Sequence, residues 1–169
     1  MAACAPENSP AAATPPAIAF PVFDITGAGG AGNTEGWNAV GSTSDRPALT
    51  FYENARPALI LACNGTQMKV QVRGFTPKQA WPQPELTIRT GAALRAETPD
   101  VRNIGDQVAY EVGFAIADEV LALMSGGGPV AIEFNNQNRT FANIPADQAK
   151  EFTDRCASLV PSGMRSANR

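Results

Sequence analysis

Short apolar runs separated by closely spaced turn signals constrain this chain more than any other feature. Residues 58–63 (ALILAC) and 67–73 (QMKVQVR) lie on either side of Asn64-Gly65, a dipeptide that strongly favours a two-residue hairpin turn. In the second run apolar and polar residues alternate, which predicts one buried and one solvated face. The runs are too close together for the crossover helices that parallel pairing needs. The pattern therefore predicts antiparallel sheets.

The same pattern of short β-like runs separated by turns extends over most of the chain. Further β-like runs are predicted at residues 37–40, 48–52, 86–89, 92–96, 107–114, 129–134 and 139–144. Two stretches change to helical spacing: residues 117–124, with acidic residues in their first turn, and residues 145–159, which begin with a proline. We therefore expect a mainly β fold, an antiparallel β-sandwich or partly open barrel with two short helices near the C-terminus.

The N-terminus carries a cysteine in a distinctive setting. Cys4 follows two alanines and precedes a stretch rich in proline and alanine. This arrangement resembles the processing box of bacterial lipoproteins, in which small residues precede the cysteine that receives acyl chains. Met1 stands where that box usually has a leucine. The resemblance implies that Cys4 is lipidated and that the folded part of the chain hangs from a membrane.

The cysteine count agrees with an exported protein. The chain has three cysteines, Cys4, Cys63 and Cys156, and an odd number in an exported protein leaves one to explain. Lipidation of Cys4 would account for it, and Cys63 could then pair with Cys156 in an oxidising compartment. Cys156 recurs with Ala149 and Phe152 at helical spacing, which directs it towards the core. The alternative is three reduced thiols acting as small apolar residues.

Composition along the chain favours a single domain. Residues 5–17 are of low complexity and cannot bury apolar area, so they are expected to stay extended. A short β-like run follows at residues 18–25 (IAFPVFDI), and a glycine-rich stretch ends it at residues 27–32. We expect a lipidation site and disordered tether at residues 1–20, one β-rich domain at residues 21–160 and a frayed tail at residues 161–169.

Composition also excludes several classes of function. The chain has no histidine, which excludes histidine-based triads and histidine metal sites, and its cysteines lack the spacing of a zinc site. Its net charge is −3, and no basic stripe suits nucleic acid. The glycines of residues 27–32 match GxGxxG, but no helical pattern follows them to bind a pyrophosphate. We expect no cofactor and no metal.

A tryptophan and an asparagine-rich turn remain as candidate binding residues. Trp81 lies in a proline-rich loop, either as a lid over the core or as an exposed anchor for a partner. Asn135, Asn136 and Asn138 belong to a turn between two β-like runs. Their amides suit a sugar or the backbone of a partner, although asparagine is also an ordinary turn residue.

Carboxylates offer a different hypothesis, hydrolysis by a pair of acids. The candidates are Glu111, Glu133, Asp118 with Glu119, and Asp154. Glu111 and Glu133 alternate with apolar neighbours, as solvent-facing strand residues do. The acids at residues 118 and 119 occupy the first turn of a predicted helix, where they stabilise the helix end. These positions favour structural roles over catalysis.

The order of the segments is similar to that of the invasion-associated locus B family, small exported β-sandwich proteins of Gram-negative bacteria. It is also similar to that of lipoproteins of unknown function from alphaproteobacteria. The resemblance rests on Trp37, on residues 59–63, 68–72, 86–89, 114–123 and 130–134, and on Phe152 with Cys156. It spans residues 37–159. It implies a β-sandwich and export from the cytosol, and it carries no established catalytic residues.

We therefore expect a non-enzymatic cell-envelope lipoprotein, periplasmic and anchored to the outer membrane through Cys4. Its expected partner is an envelope protein or a glycan, and not nucleic acid. One alternative is an inhibitor of a lytic enzyme such as lysozyme, with the loop around Trp81 or the asparagine-rich turn inserted into the enzyme. The other is a carboxylate-dependent periplasmic hydrolase.

Overall fold

The computed structural model describes residues 35–39, 42, 45–77, 83–91, 93–125 and 127–165. These residues form ten strands and three helices. The strands are β1 (Gly36–Asn38), β2 (Ala48–Glu53), β3 (Arg56–Asn64), β4 (Gln67–Arg73), β5 (Leu86–Thr90), β6 (Ala93–Glu97), β7 (Asp100–Ile104), β8 (Gln107–Ala115), β9 (Val130–Phe134) and β10 (Gln137–Phe141). The helices are α1 (Asp118–Ser125), α2 (Ala146–Ser158) and α3 (Ser162–Arg165).

Two antiparallel sheets make up the fold, as the sequence predicts. The larger sheet has the order β1-β2-β3-β4-β8-β7, and the smaller has the order β10-β9-β5-β6. Side chains from both sheets share one hydrophobic core, in which Leu61 and Val70 of the larger sheet lie with Ile88 and Ile132 of the smaller. Across this core the ring centroids of Tyr110 and Phe134 are 4.3 Å apart. The arrangement is that of a β-sandwich.

Helices α1 and α2 pack against each other at one end of the sandwich. Val120, Leu123 and Met124 are the buried face of α1, and Ala149, Phe152 and Cys156 are the buried face of α2. Val130, at the start of β9, faces the space between the two helices. The sequence predicted both of these helices, and for α2 its helical spacing also predicted the inward face.

The predicted pair of cysteines forms a disulfide. Cys63 lies near the end of β3 and Cys156 in the last turns of α2, and their Cα atoms are 5.6 Å apart. Both residues are fully buried. The bond therefore joins α2 to β3, a strand in the middle of the larger sheet.

An arginine connects the two sheets at the opposite end. The Arg139 guanidinium of β10 donates hydrogen bonds to the Glu53 carboxylate of β2 and to the backbone carbonyl of Arg73 at the end of β4. Its Cζ atom lies 5.0 Å from the ring centroid of Phe141. Gly74 leaves room for this contact, because a Cβ atom there would lie 2.6 Å from Arg139 Nη1.

Three segments differ from the sequence expectation. Strand β7 was not predicted, because its residues are mostly polar and exposed at the sheet edge and show no apolar alternation. Strand β10 begins at Gln137 and not at residue 139, because Asn135 and Asn136 alone make the turn. Residues 162–165, in the predicted tail, form α3.

Loss of the disulfide should weaken the fold strongly. In the double variant Cys63→Ser/Cys156→Ser we expect the free energy of unfolding to fall by about 4 to 5 kcal/mol, because the bond closes a loop with a sequence separation of 93 residues. Chemical denaturation measures this change. Cys4→Ser is the matched control and should leave the unfolding free energy unchanged, whereas equal values for all three proteins would contradict the prediction.

A single methyl group strains the β2–β3 turn. Asn54 and Ala55 have φ values of 51° and 58°, a left-handed conformation that asparagine tolerates and alanine does not. Ala55→Gly should therefore raise the free energy of unfolding by about 1 kcal/mol. Gly105→Ala is the converse control, because Gly105 has a φ of +60° and open space around its Cβ position. Thermal unfolding should show opposite signs for the two variants, and the same sign would refute the explanation.

Candidate functional site

The asparagine-rich turn closes the β9–β10 hairpin at the end of the sandwich away from the helices. Phe134 pairs with Gln137 in the register, so Asn135 and Asn136 form a two-residue turn. Their φ values are 50° and 60°, and asparagine adopts this left-handed region more readily than most residues. The two turn residues themselves therefore favour the conformation of this hairpin tip.

A cleft of about 520 Å³ lies beside the turn. The pairing register of the strands explains which residues line the cleft. Thr87 of β5, Glu133 of β9 and Asn138 of β10 lie in one row on the outer face of the smaller sheet. The neighbouring Leu86 and Phe134 face the core instead. The residues that line the cleft are Pro84, Glu85, Thr87, Glu133, Phe134, Asn135, Asn136, Gln137 and Asn138.

Hydrogen bonds hold the hairpin beside the segment that follows β4. The Gln137 side-chain oxygen accepts a hydrogen bond from the Thr76 backbone N–H at 2.9 Å. Its amide nitrogen donates to the Thr76 carbonyl at 3.2 Å. The Thr140 hydroxyl donates to the Asn138 side-chain oxygen at 3.3 Å. These contacts restrain Gln137 and Asn138, two of the lining residues, which lowers the entropic cost of ordering them when a ligand binds.

The chemistry of the cleft is polar and acidic. Of the described residues that line it, only Glu85 and Glu133 carry charge, and both are exposed. Carboxylates accept hydrogen bonds, the Thr87 hydroxyl both donates and accepts, and asparagine amides do the same. Such a set suits a ligand with several hydroxyl or amino groups and repels an anion.

The structure brings together some of the predicted binding residues and not others. Asn135, Asn136 and Asn138 line one cleft, whereas the disulfide lies at the other end of the sandwich. Trp81 and Cys4 lie outside the described residues. Sequence reasoning did not identify Thr87 or Glu85 as neighbours of the asparagines. They become neighbours only through the pairing of β5 with β9, for which the sequence carries no local signal.

The candidate catalytic acids occupy different parts of the molecule. Glu111 and Glu133 lie on the outer faces of opposite sheets. Asp118 is exposed in the first turn of α1. Asp154 is exposed on α2 and forms an ion pair with Lys150 one turn earlier. Glu111 and Glu133 therefore do not face each other across one cleft.

Glu111 is buried, and the expectation that it faces solvent was wrong. Lys69 Nζ lies 2.9 Å from one carboxylate oxygen, and Arg102 Nη2 lies 3.7 Å from the same oxygen. Gln71 Nε2 donates to the other oxygen at 3.3 Å. Side chains from β4 and β7 thus converge on this carboxylate. The alternation along β8 alone did not predict these contacts between strands. The arrangement is that of a structural ion pair.

The residues that the structure describes hold neither a cluster of metal ligands nor a membrane-spanning helix. No three histidine, cysteine, aspartate or glutamate side chains there group closely enough to hold a metal ion. Among the same residues, no helix has both the length and the apolar composition needed to cross a membrane.

Comparisons of the chain with protein families, curated proteins and solved structures returned no match.

Removal of the Glu111 carboxylate should destabilise the larger sheet. In Glu111→Ala we expect the free energy of unfolding to fall by about 2 to 3 kcal/mol, because the buried Gln71 amide and the partly buried Lys69 and Arg102 lose their charged acceptor. Asp154→Ala is the matched control, since it removes an acid from an exposed ion pair and should cost less than about 0.5 kcal/mol. Urea denaturation compares them, and similar losses would contradict a structural role for Glu111.

Proposed function

We propose that this chain is a non-enzymatic cell-envelope lipoprotein that binds an envelope glycan in the cleft beside the β9–β10 turn. The observation that carries the proposal is the row of Thr87, Glu133 and Asn138 on three neighbouring strands, next to the asparagine turn. Regular strands hold these polar groups at fixed spacing, as a binding site requires.

The disulfide supports the proposed location in the periplasm. Disulfides persist in oxidising environments such as the bacterial periplasm and are rare in the cytosol. Both sulfurs of the Cys63–Cys156 bond are buried, which suits a structural bond and not a redox site. Together with the lipoprotein-like setting of Cys4, this favours a domain held at the outer membrane by an acyl anchor.

The charge of the cleft favours a neutral glycan over other envelope ligands. Glu85 and Glu133 repel phosphate-rich or strongly anionic polymers. Sugar hydroxyls can donate to these carboxylates and can both donate to and accept from the asparagine amides. The cleft is more polar than a site for an apolar small molecule, which is lined mainly by hydrophobic side chains.

One observation favours the second candidate function, inhibition of a lytic enzyme such as lysozyme. Asn136 is exposed at the tip of a hairpin that Gln137 fixes to the Thr76 backbone. A rigid, exposed tip is what an inhibitor needs in order to enter the cleft of an enzyme without a large ordering cost.

Titration with soluble, uncharged fragments of envelope glycan tests the first function. The double variant Glu133→Gln/Asn138→Ala should bind at least about tenfold more weakly than the unaltered protein, because each lost hydrogen bond to a charged group costs about 1.5 to 3 kcal/mol. Calorimetry measures the affinities. Asn103→Ala is the control, since Asn103 is an exposed asparagine on β7 of the other sheet.

Two results would count against glycan binding. Equal affinity of the double variant and the unaltered protein would show that the ligand binds elsewhere. If no fragment binds and a stoichiometric amount of the protein protects a cell-wall suspension from lysozyme, the inhibitor function replaces the first one.

A further inference from the structure

The two lateral sides of the sandwich are closed differently. Strands β1 and β10 are the edges on one side, and there the Trp37 indole N–H donates to the Ala142 carbonyl at 2.7 Å. Strands β6 and β7 are the edges on the other side. Val101 of β7 lies across from Tyr110, whose side chain is in the core between the sheets, yet Val101 is 44% exposed. The smaller sheet therefore leaves the inner face of β7 uncovered at this position.

The backbone of β7 is directed alternately towards β8 and away from it. Ile104 and Gln107 flank the two-residue turn between the strands, and such flanking residues bond to each other. Because bonded and non-bonded pairs alternate in an antiparallel ladder, Arg102 also bonds to β8, whereas the N–H and C=O groups of Val101 and Asn103 point outward. In the part of the chain that the structure describes, no strand pairs with this edge of β7. It is an open edge that a further strand can extend.

The charges of β7 fit a second copy of the same strand in one register. In an antiparallel pair centred on Val101, Asp100 of each copy lies directly across from Arg102 of the other, because the two residues are equally far from the centre. Opposite charges at such positions stabilise a sheet, and like charges destabilise it. A pair centred on Arg102 would instead oppose two guanidinium groups. The edge is therefore complementary to itself when Val101 is at the centre.

We propose that two copies of this chain form a two-fold symmetric dimer by pairing their β7 strands along this open edge. The two Val101 side chains then meet on the inner face and cover each other. Arg102 Nη2 lies 3.7 Å from a Glu111 carboxylate oxygen, and the guanidinium has enough donors to keep this contact while it bonds to Asp100 of the second copy. The paired strands are short, so we expect association at the weak end of specific interfaces.

Strand β6, the other edge on this side, is less suited to the same pairing. It also carries opposite charges two residues apart, at Arg95 and Glu97. Counted from the β5–β6 turn, however, its outward backbone groups include the Leu94 carbonyl, which already accepts a hydrogen bond from Arg95 Nη1 at 3.0 Å. Helix α1 also packs against β6. These contacts favour β7 as the pairing edge.

The dimer would present its two clefts on the same side. Antiparallel pairing of identical strands places the two-fold axis normal to the sheet, so each face of the larger sheet keeps its direction in both copies. The smaller sheets, which carry the clefts, then lie on one side of the continuous larger sheet. Two clefts that face one way can hold one polymer at two points, which raises the apparent affinity. This consequence rests on the proposed glycan binding, and the pairing of β7 does not.

Cysteine cross-linking of the full chain tests the pairing and its register. In a Cys4→Ser background, Val101→Cys should give a disulfide-linked dimer under a mild oxidant, because Cα atoms of a hydrogen-bonded pair lie about 5.5 Å apart, within disulfide range. Asn103→Cys is the matched control on the same face of the same strand. Its two copies would lie roughly 13 Å apart along the pair and should stay unlinked. Non-reducing electrophoresis compares the two variants.

Sedimentation of the unaltered protein over a range of concentrations measures the association itself. Val101→Pro should raise the dissociation constant of the dimer at least about tenfold, because proline removes an outward N–H and leaves the bonds to β8 in place. The same variant should bind short glycan fragments as tightly as the unaltered protein. Its apparent affinity for the polymeric glycan should fall at least about tenfold, since bivalent binding is lost.

Three results would overturn the proposal. The unaltered protein could remain a monomer at every concentration, which decides the question even if the variants fail to fold. Val101→Cys and Asn103→Cys could cross-link equally, which would exclude the register centred on Val101. Ala96→Cys could cross-link where Val101→Cys does not, which would make β6 the pairing edge. Failure of the dimer would leave the binding of short fragments unchanged, so the two proposals fail separately.

Discussion

The Cys63–Cys156 disulfide is the constraint on which the rest of the structure depends. It joins α2, the last long element of the chain, to a strand in the middle of the larger sheet. The hydrophobic core between the sheets surrounds this bond and includes both of its cysteines. Because the bond restricts the unfolded chain as well as the native one, a domain of this size can be stable with a modest core. Disulfides persist in oxidising compartments, so the bond agrees with the proposed location.

The two ends of the sandwich differ in chemistry. The end that carries the helices is apolar and is held by the disulfide. At the other end polar contacts dominate: Arg139 bonds to Glu53 and to the Arg73 carbonyl, and Gln137 bonds to the Thr76 backbone. The cleft lies at this polar end, where the strands supply a rigid base and the turn supplies amides. A binding site placed there does not disturb the core that stabilises the domain.

Local signals predicted much of the fold, and contacts between distant strands account for what they missed. The alternation of residues 67–73 predicted the bounds of β4, and helical spacing predicted α2 and the inward direction of Cys156. The hairpin turn before β4 is Gly65-Thr66 and not the predicted Asn64-Gly65, because Asn64 pairs with Gln67. Strand β7 was missed because an exposed edge strand needs no apolar alternation. Glu111 was misplaced because its burial depends on side chains of β4 and β7. The asparagines of the cleft were found from the sequence, whereas Thr87 joins them only through the β5–β9 register.

The state of the three cysteines in native protein tests the central claim most directly. Mass spectrometry after alkylation without a reducing agent distinguishes free, bonded and acylated cysteines. The proposed envelope lipoprotein should show Cys63 linked to Cys156 and an acyl group on Cys4, in protein recovered from the envelope fraction. Recovery of the chain from the cytosol, with all three thiols free to react, would contradict the account.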